Sequence, residues 1–67
     1  MNNEMMNLYE YLLIEYPAYF NSDYVTDMLY NILVESQKID SMSLRCDWLD
    51  KIIPGVRLSE IRDVLLR

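Results

Sequence analysis

Eleven carboxylates, six tyrosines, one cysteine and no histidine are the groups this chain offers for chemistry. General acid–base and nucleophilic catalysis draw on a histidine, a carboxylate pair with perturbed pKa values, or an activated thiol in a pocket. Histidine is absent, and the carboxylates fall at spacings that put them on solvated helix faces. Cys46 has no well-placed base to activate it and reads as a small, buried or half-buried side chain. A single cysteine without histidine supplies neither an intrachain disulfide nor a structural zinc site. Carboxylate-bridged di-metal bundles use Glu-x-x-His pairs, which this chain lacks. One glycine excludes a glycine-rich phosphate loop. The expectation is a protein that is not an enzyme and holds no cofactor or metal.

Acids and tyrosines can still recognise a partner. All six tyrosines lie in the first thirty residues. Residues 1–40 carry seven acids against one base, a balance of −6, and residues 41–67 carry four acids against five bases, a balance of +1. An acidic, tyrosine-rich half repels a nucleic-acid backbone. It suits a protein with a basic surface, because tyrosine is enriched in contact patches and carboxylates steer approach.

The elements that must position these groups read as helices. From 21 to 37, Val25, Met28, Leu29, Ile32 and Leu33 recur at a period of 3.6, which predicts an amphipathic helix at the centre of the fold. Asn21 or Ser22 is placed to cap it, and Asp23 lies where the helix dipole favours an acid. Asp23, Asp27 and Asn31 occupy its far side, with Tyr30 and Val34 among them. Residues 4–15 predict a first helix, with Met5, Leu8, Tyr9, Leu12, Leu13 and Tyr16 inward. Tyr11 and Ile14 fall outside that stripe, beside Glu10. Pro17 ends the helix, and Tyr19 and Phe20 are expected to cover the end of the core.

Lys38 to Ser41 reads as a linker. A shorter helix follows over about 43–52, capped by Ser41 or Ser43, with Leu44, Trp48, Leu49 and Ile52 inward. Pro54 and Gly55 make a turn. A fourth helix over about 58–66, capped by Ser59, turns Ile61, Val64 and Leu65 inward, and Arg67 complements its dipole. The fold class is all-α: one domain spanning 1–67, a compact bundle of about four short helices arranged as two helical hairpins. A weak echo supports the pairing. An apolar–x–Asp–apolar–Leu run recurs at Val25–Leu29 and Ile61–Leu65, each beyond a proline.

The stretch from Trp48 to Val64 resembles a helix-turn-helix. Gly55 would be the turn glycine, Val56, Ile61 and Val64 the core positions, and Arg57 and Arg62 the outward residues facing nucleic acid. Lys51 departs from the small residue usual at its position. Ile52, Ile53 and Pro54 resemble the hydrophobic–hydrophobic–Pro motif of ubiquitin-binding CUE domains, without that family's third helix and dileucine.

The leading expectation is a small acidic regulator or inhibitor that acts by binding a protein with a basic surface. Glu10, Tyr11, Ile14, Asp23, Asp27, Tyr30 and Val34 would form the contact. By analogy, phages and plasmids encode modulators of host proteins with this size and character. The alternatives are a homo-oligomeric structural protein, favoured because so short a chain buries little core, and a DNA-binding protein acting through Arg57 and Arg62. The N-terminus is not basic and no apolar run reaches membrane-spanning length, so neither a signal peptide nor a membrane span is expected. With a lone free thiol, this points to the cytoplasm.

Overall fold

The computed structural model describes residues 1–39 and 42–66. Among them are four α-helices and no strand: α1 (Asn3–Glu15), α2 (Asp23–Ser36), α3 (Met42–Asp50) and α4 (Leu58–Leu65), with a 3-10 turn at Pro17–Tyr19. The all-α bundle is therefore as expected. Each helix packs on the next, and α4 packs back on α1 to close the ring. The α1–α4 and α2–α3 contacts are the most extensive, so the hairpins meet face to face.

Local chemistry sets the boundaries. Asn2 caps α1 by accepting the Met5 amide at 2.9 Å, and Ser22 caps α2 by accepting the Val25 amide. Pro17 supplies no amide proton, so the chain leaves α1 through the 3-10 turn. Gly55 sits at φ 88°, the left-handed region that a side chain disfavours. Its amide donates to Asp50 Oδ1 at 2.8 Å, which fastens the turn to the end of α3.

The core is built from Met5, Leu8 and Leu12 of α1, Leu29 and Leu33 of α2, Leu49 of α3, Ile61 and Val64 of α4, and Ile52, Ile53 and Val56 of the connection. Several expectations need correction. Met28 and Leu44 are exposed and Trp48 is only half-buried, whereas Val25 and Ile32, also half-buried, pack against the core as expected. Tyr19 is exposed, leaving Phe20 to pack on the core. Neither Ser43 nor Ser59 is a cap: Ser43 lies inside α3, and Arg57 occupies the cap position of α4. The expectations for Ser41 and Arg67 fall outside the described residues.

Leu44 is exposed because α3 turns Arg45 inward instead. Arg45 is 8% exposed. Its Nη2 donates to the Ser36 carbonyl at 3.0 Å, and its Nε to Ser36 Oγ at 3.2 Å. Ser36 is the last residue of α2, where backbone carbonyls lack helical partners and the dipole is negative. The guanidinium thus closes the end of α2 from a neighbouring helix. Ser36 Oγ donates in turn to the Leu33 carbonyl at 2.9 Å.

Candidate partner-binding surface

The residues predicted to bind a partner separate into two patches. Tyr9 and Tyr11 are two positions apart on α1, about 200° around the helix. Tyr9 faces α2, where its ring meets Tyr30 edge-on with centroids 6.1 Å apart. Tyr11 faces α4, where its hydroxyl donates to Glu60 Oε2 at 2.6 Å. Tyr11 and Tyr30 therefore lie on opposite flanks of α1, and the structure does not join them into one face.

The α2 patch holds Asp23, Asp27, Tyr30 and Val34. Their spacing of four, three and four residues makes a single strip along the helix. Both acids are exposed, Tyr30 is 45% exposed and Val34 is half-buried. Tyr30 meets Tyr9 of α1, so α1 covers the strip at that point. Tyr24, beside Asp23, is 74% exposed.

The α1 patch holds Glu10, Tyr11 and Ile14. With Asn7, Glu15 and Val64 they line an open groove of about 430 Å³ between α1 and α4. Ile14 is 74% exposed and stands at its mouth. Val64 and the ring of Tyr11 give it apolar walls. Glu10 and Glu15 are both exposed, and no base lines it.

Next to this groove is a cluster that sequence reasoning missed. Glu60 accepts from Tyr11 and also from Tyr16, whose hydroxyl lies 2.8 and 2.7 Å from the two carboxylate oxygens. Burial pushes the Glu60 carboxyl up. The two tyrosine hydroxyls, with the amide and charge of Arg57, outweigh burial and hold it below its ordinary value. The contact with Arg57 is half of a capping box, an acid at the third helical position reaching back to the cap amide. Accepting from both phenols, Glu60 disfavours a second negative charge nearby. The hydrogen bond, reinforced by burial, pushes Tyr11 up to about 12, and Tyr16 moves the same way. The available signal is Tyr11, outside the apolar stripe of α1, and Tyr16, the last residue of that stripe. Nothing in the sequence named their acceptor.

The Cys46 thiol is half-buried and donates to the Val56 carbonyl at 3.3 Å. Burial, with Asp47 and Asp50 nearby, pushes its pKa up, so the thiol stays protonated. Among the described residues no group of three or more acids or cysteines could hold a metal ion. None of their helices is long and apolar enough to cross a membrane.

The C-terminal hairpin agrees only in part with the helix-turn-helix pattern. Val56, Ile61 and Val64 are buried, Gly55 is the turn glycine, and Arg57 and Arg62 are exposed. Residues 51–57 separate α3 from α4, however, where that motif turns in roughly 3–4 residues. Arg57 also shares its surface depression with Glu60 and Asp63. Ile52 and Ile53 are buried, which leaves the Ile-Ile-Pro sequence no exposed apolar pair to offer ubiquitin. No protein-family model matches the chain, and neither a curated protein nor a solved structure gives a significant match.

Proposed function

We propose that this protein is a small regulator or inhibitor that binds another protein through its acidic, tyrosine-bearing helices and works in the cytoplasm. The observation that carries the reading is Ile14, 74% exposed on α1 beside Tyr11 and between Glu10 and Glu15. A scattered exposed apolar residue is ordinary. Here the residue stands at a groove whose rim carries one sign of charge, the pattern of an apolar anchor point with electrostatic steering. The α2 strip of Asp23, Asp27, Tyr30 and Val34 is the second available contact face.

The test is recovery of a stoichiometric partner from nuclease-treated lysate of the source cell or its host. Two variants accompany it, Ile14→Ser for the groove and Tyr30→Ser with Val34→Ser for the strip. A partner captured by the parent chain and lost with either variant, at unchanged far-UV helicity, supports the reading. Equal recovery by both variants sinks it. Unfolding of the double variant would identify Tyr30 and Val34 as core instead.

DNA binding is the second reading, favoured by the burial of Val56, Ile61 and Val64 behind exposed Arg57 and Arg62. The long α3–α4 connection and the acids beside Arg57 weigh against it. Retention on DNA at low salt, lost on changing both arginines, would overturn the first reading. Self-association is the third, resting on the acidic first half and basic second half of the chain.

A further inference from the structure

The α1–α4 groove restricts what could occupy it. Its two walls are α-helices, whose backbone amides and carbonyls are bonded within each helix. The groove therefore offers no ladder to an extended peptide, which would gain no backbone hydrogen bonds there. A helical segment satisfies its own backbone and inserts side chains only, as amphipathic helices do in apolar grooves.

Charge narrows the choice further. Glu10 and Glu15 stand about 7.5 Å apart along α1, on either side of Ile14 in the groove lining, and no base lines the groove. Self-pairing across a two-fold axis would set these carboxylates against their own copies. Like charges brought together in an interface disfavour it. The occupant that fits brings bases.

We infer that the α1–α4 groove takes an amphipathic helix of a partner protein, with a large apolar side chain set against Ile14 and Tyr11 and lysine or arginine residues facing Glu10, about one turn before Ile14 on α1, and Glu15, the residue after it. This rests on the proposed function and names the class of partner for one of its two faces. Tyr11 forms the fixed side of the groove, because its hydroxyl is held by Glu60 at 2.6 Å. The lysine or arginine stems add apolar contact as their charges reach the rim.

The probe is a dye-labelled synthetic peptide of about 16 residues, long enough to be partly helical. It carries leucines on one face at i, i+4 and i+7, lysines flanking them and alanine elsewhere. Two controls are the same peptide with glutamate for lysine, and one of identical composition with the leucines scattered. Titration with the full chain, read by anisotropy, should show saturable binding of the first peptide alone. Ile14→Ser should weaken it at least tenfold, and so should Glu10→Lys with Glu15→Lys. The charge-reversed variant should gain the glutamate peptide. Ile14 is exposed, so neither variant is expected to alter the far-UV spectrum.

Equal binding of the scattered peptide would reduce the effect to net charge and overturn the inference. So would the absence of binding, or binding unaffected by Ile14→Ser. Loss of binding with Tyr30→Ser and Val34→Ser instead would assign the helix to the α2 strip, ending the groove proposal while the regulator reading stands. Sedimentation of the chain alone, showing a dimer that Ile14→Ser dissolves, would make a second copy the occupant and overturn it as well.

Discussion

One carboxylate, Glu60, ties α4 to α1 through two phenols, and its protonation state sets how the fold responds to pH. A phenol whose pKa is higher in the folded chain holds its proton more tightly there than when unfolded. Its contribution to stability is complete below its ordinary value of 10.0 and is lost as pH climbs from there through about 12 for Tyr11. Glu60 works in the opposite direction. Its folded pKa lies below the ordinary 4.5, so its contribution is present above that value and lost as pH falls through the folded one. Denaturant titrations at a series of pH values should show stability declining above pH 10, with a shallower decline in Tyr11→Phe. An identical slope in the variant would mean that the Tyr11–Glu60 bond does not form in solution. None of this was legible in the sequence, where Tyr11 reads as a contact residue and Tyr16 as part of the inward stripe of the first helix. The hydrogen bonds join positions 44 and 49 residues apart, a separation no local pattern encodes.

At the scale of elements, α3 shows both how far periodicity reaches and where it stops. The sequence places a helix there and turns Leu49 and Ile52 inward, as found. It sets Leu44 inward as well, because leucine outranks arginine as a core residue. The structure rotates the helix to bury Arg45, since the end of α2 presents a carbonyl and a hydroxyl that leucine could not satisfy. A buried arginine with two such acceptors is stable where one without them would not be. Replacing Arg45 by alanine should cost about 2 kcal/mol, the scale of hydrogen bonds from a charged group, with the Ser36 carbonyl left only its bond from the Ile39 amide at 3.3 Å. Lysine should restore only part of this, because one ammonium cannot reproduce the fork that reaches Ser36 O and Oγ together. Chemical denaturation of the two variants checks the order. A lysine variant as stable as the parent would show that charge alone closes α2. The helices, their prolines and their main core faces were legible because each rests on a local period. Arg45 was not, because its reason lies on another helix.

At the scale of the molecule, the predicted binding face depended on how the helices are placed about one another. By spacing alone Tyr11 and Ile14 of α1 and Tyr30 and Val34 of α2 fall off the core stripe, although Tyr11 packs partly against the core. The sequence cannot say whether two such off-stripe sets adjoin. The ring of helices puts α2 on one flank of α1 and α4 on the other, so they do not. A chain of this size has little interior, and a flank of α1 left partly open is a direct result of covering the helix from two sides only.

The closure of that ring also bears on how the protein is made. Of the four described helices α1 is synthesised before the others and α4 after them, and the most extensive contact of α1 is with α4. Until α4 has been synthesised, the part of α1 that it covers has no mate, and Val64 and Ile61 are missing from the core beside Leu8 and Leu12. Pairings between segments far apart in the chain carry a greater loop-closure cost, so this one forms late. The bundle should therefore acquire its fold only once α4 has been synthesised. A fragment stopping at Arg57 should retain some helicity in α1 and α2 yet show no cooperative thermal transition by circular dichroism. A sharp transition in that fragment would mean that α1, α2 and α3 assemble without α4 and take it up as a docking piece.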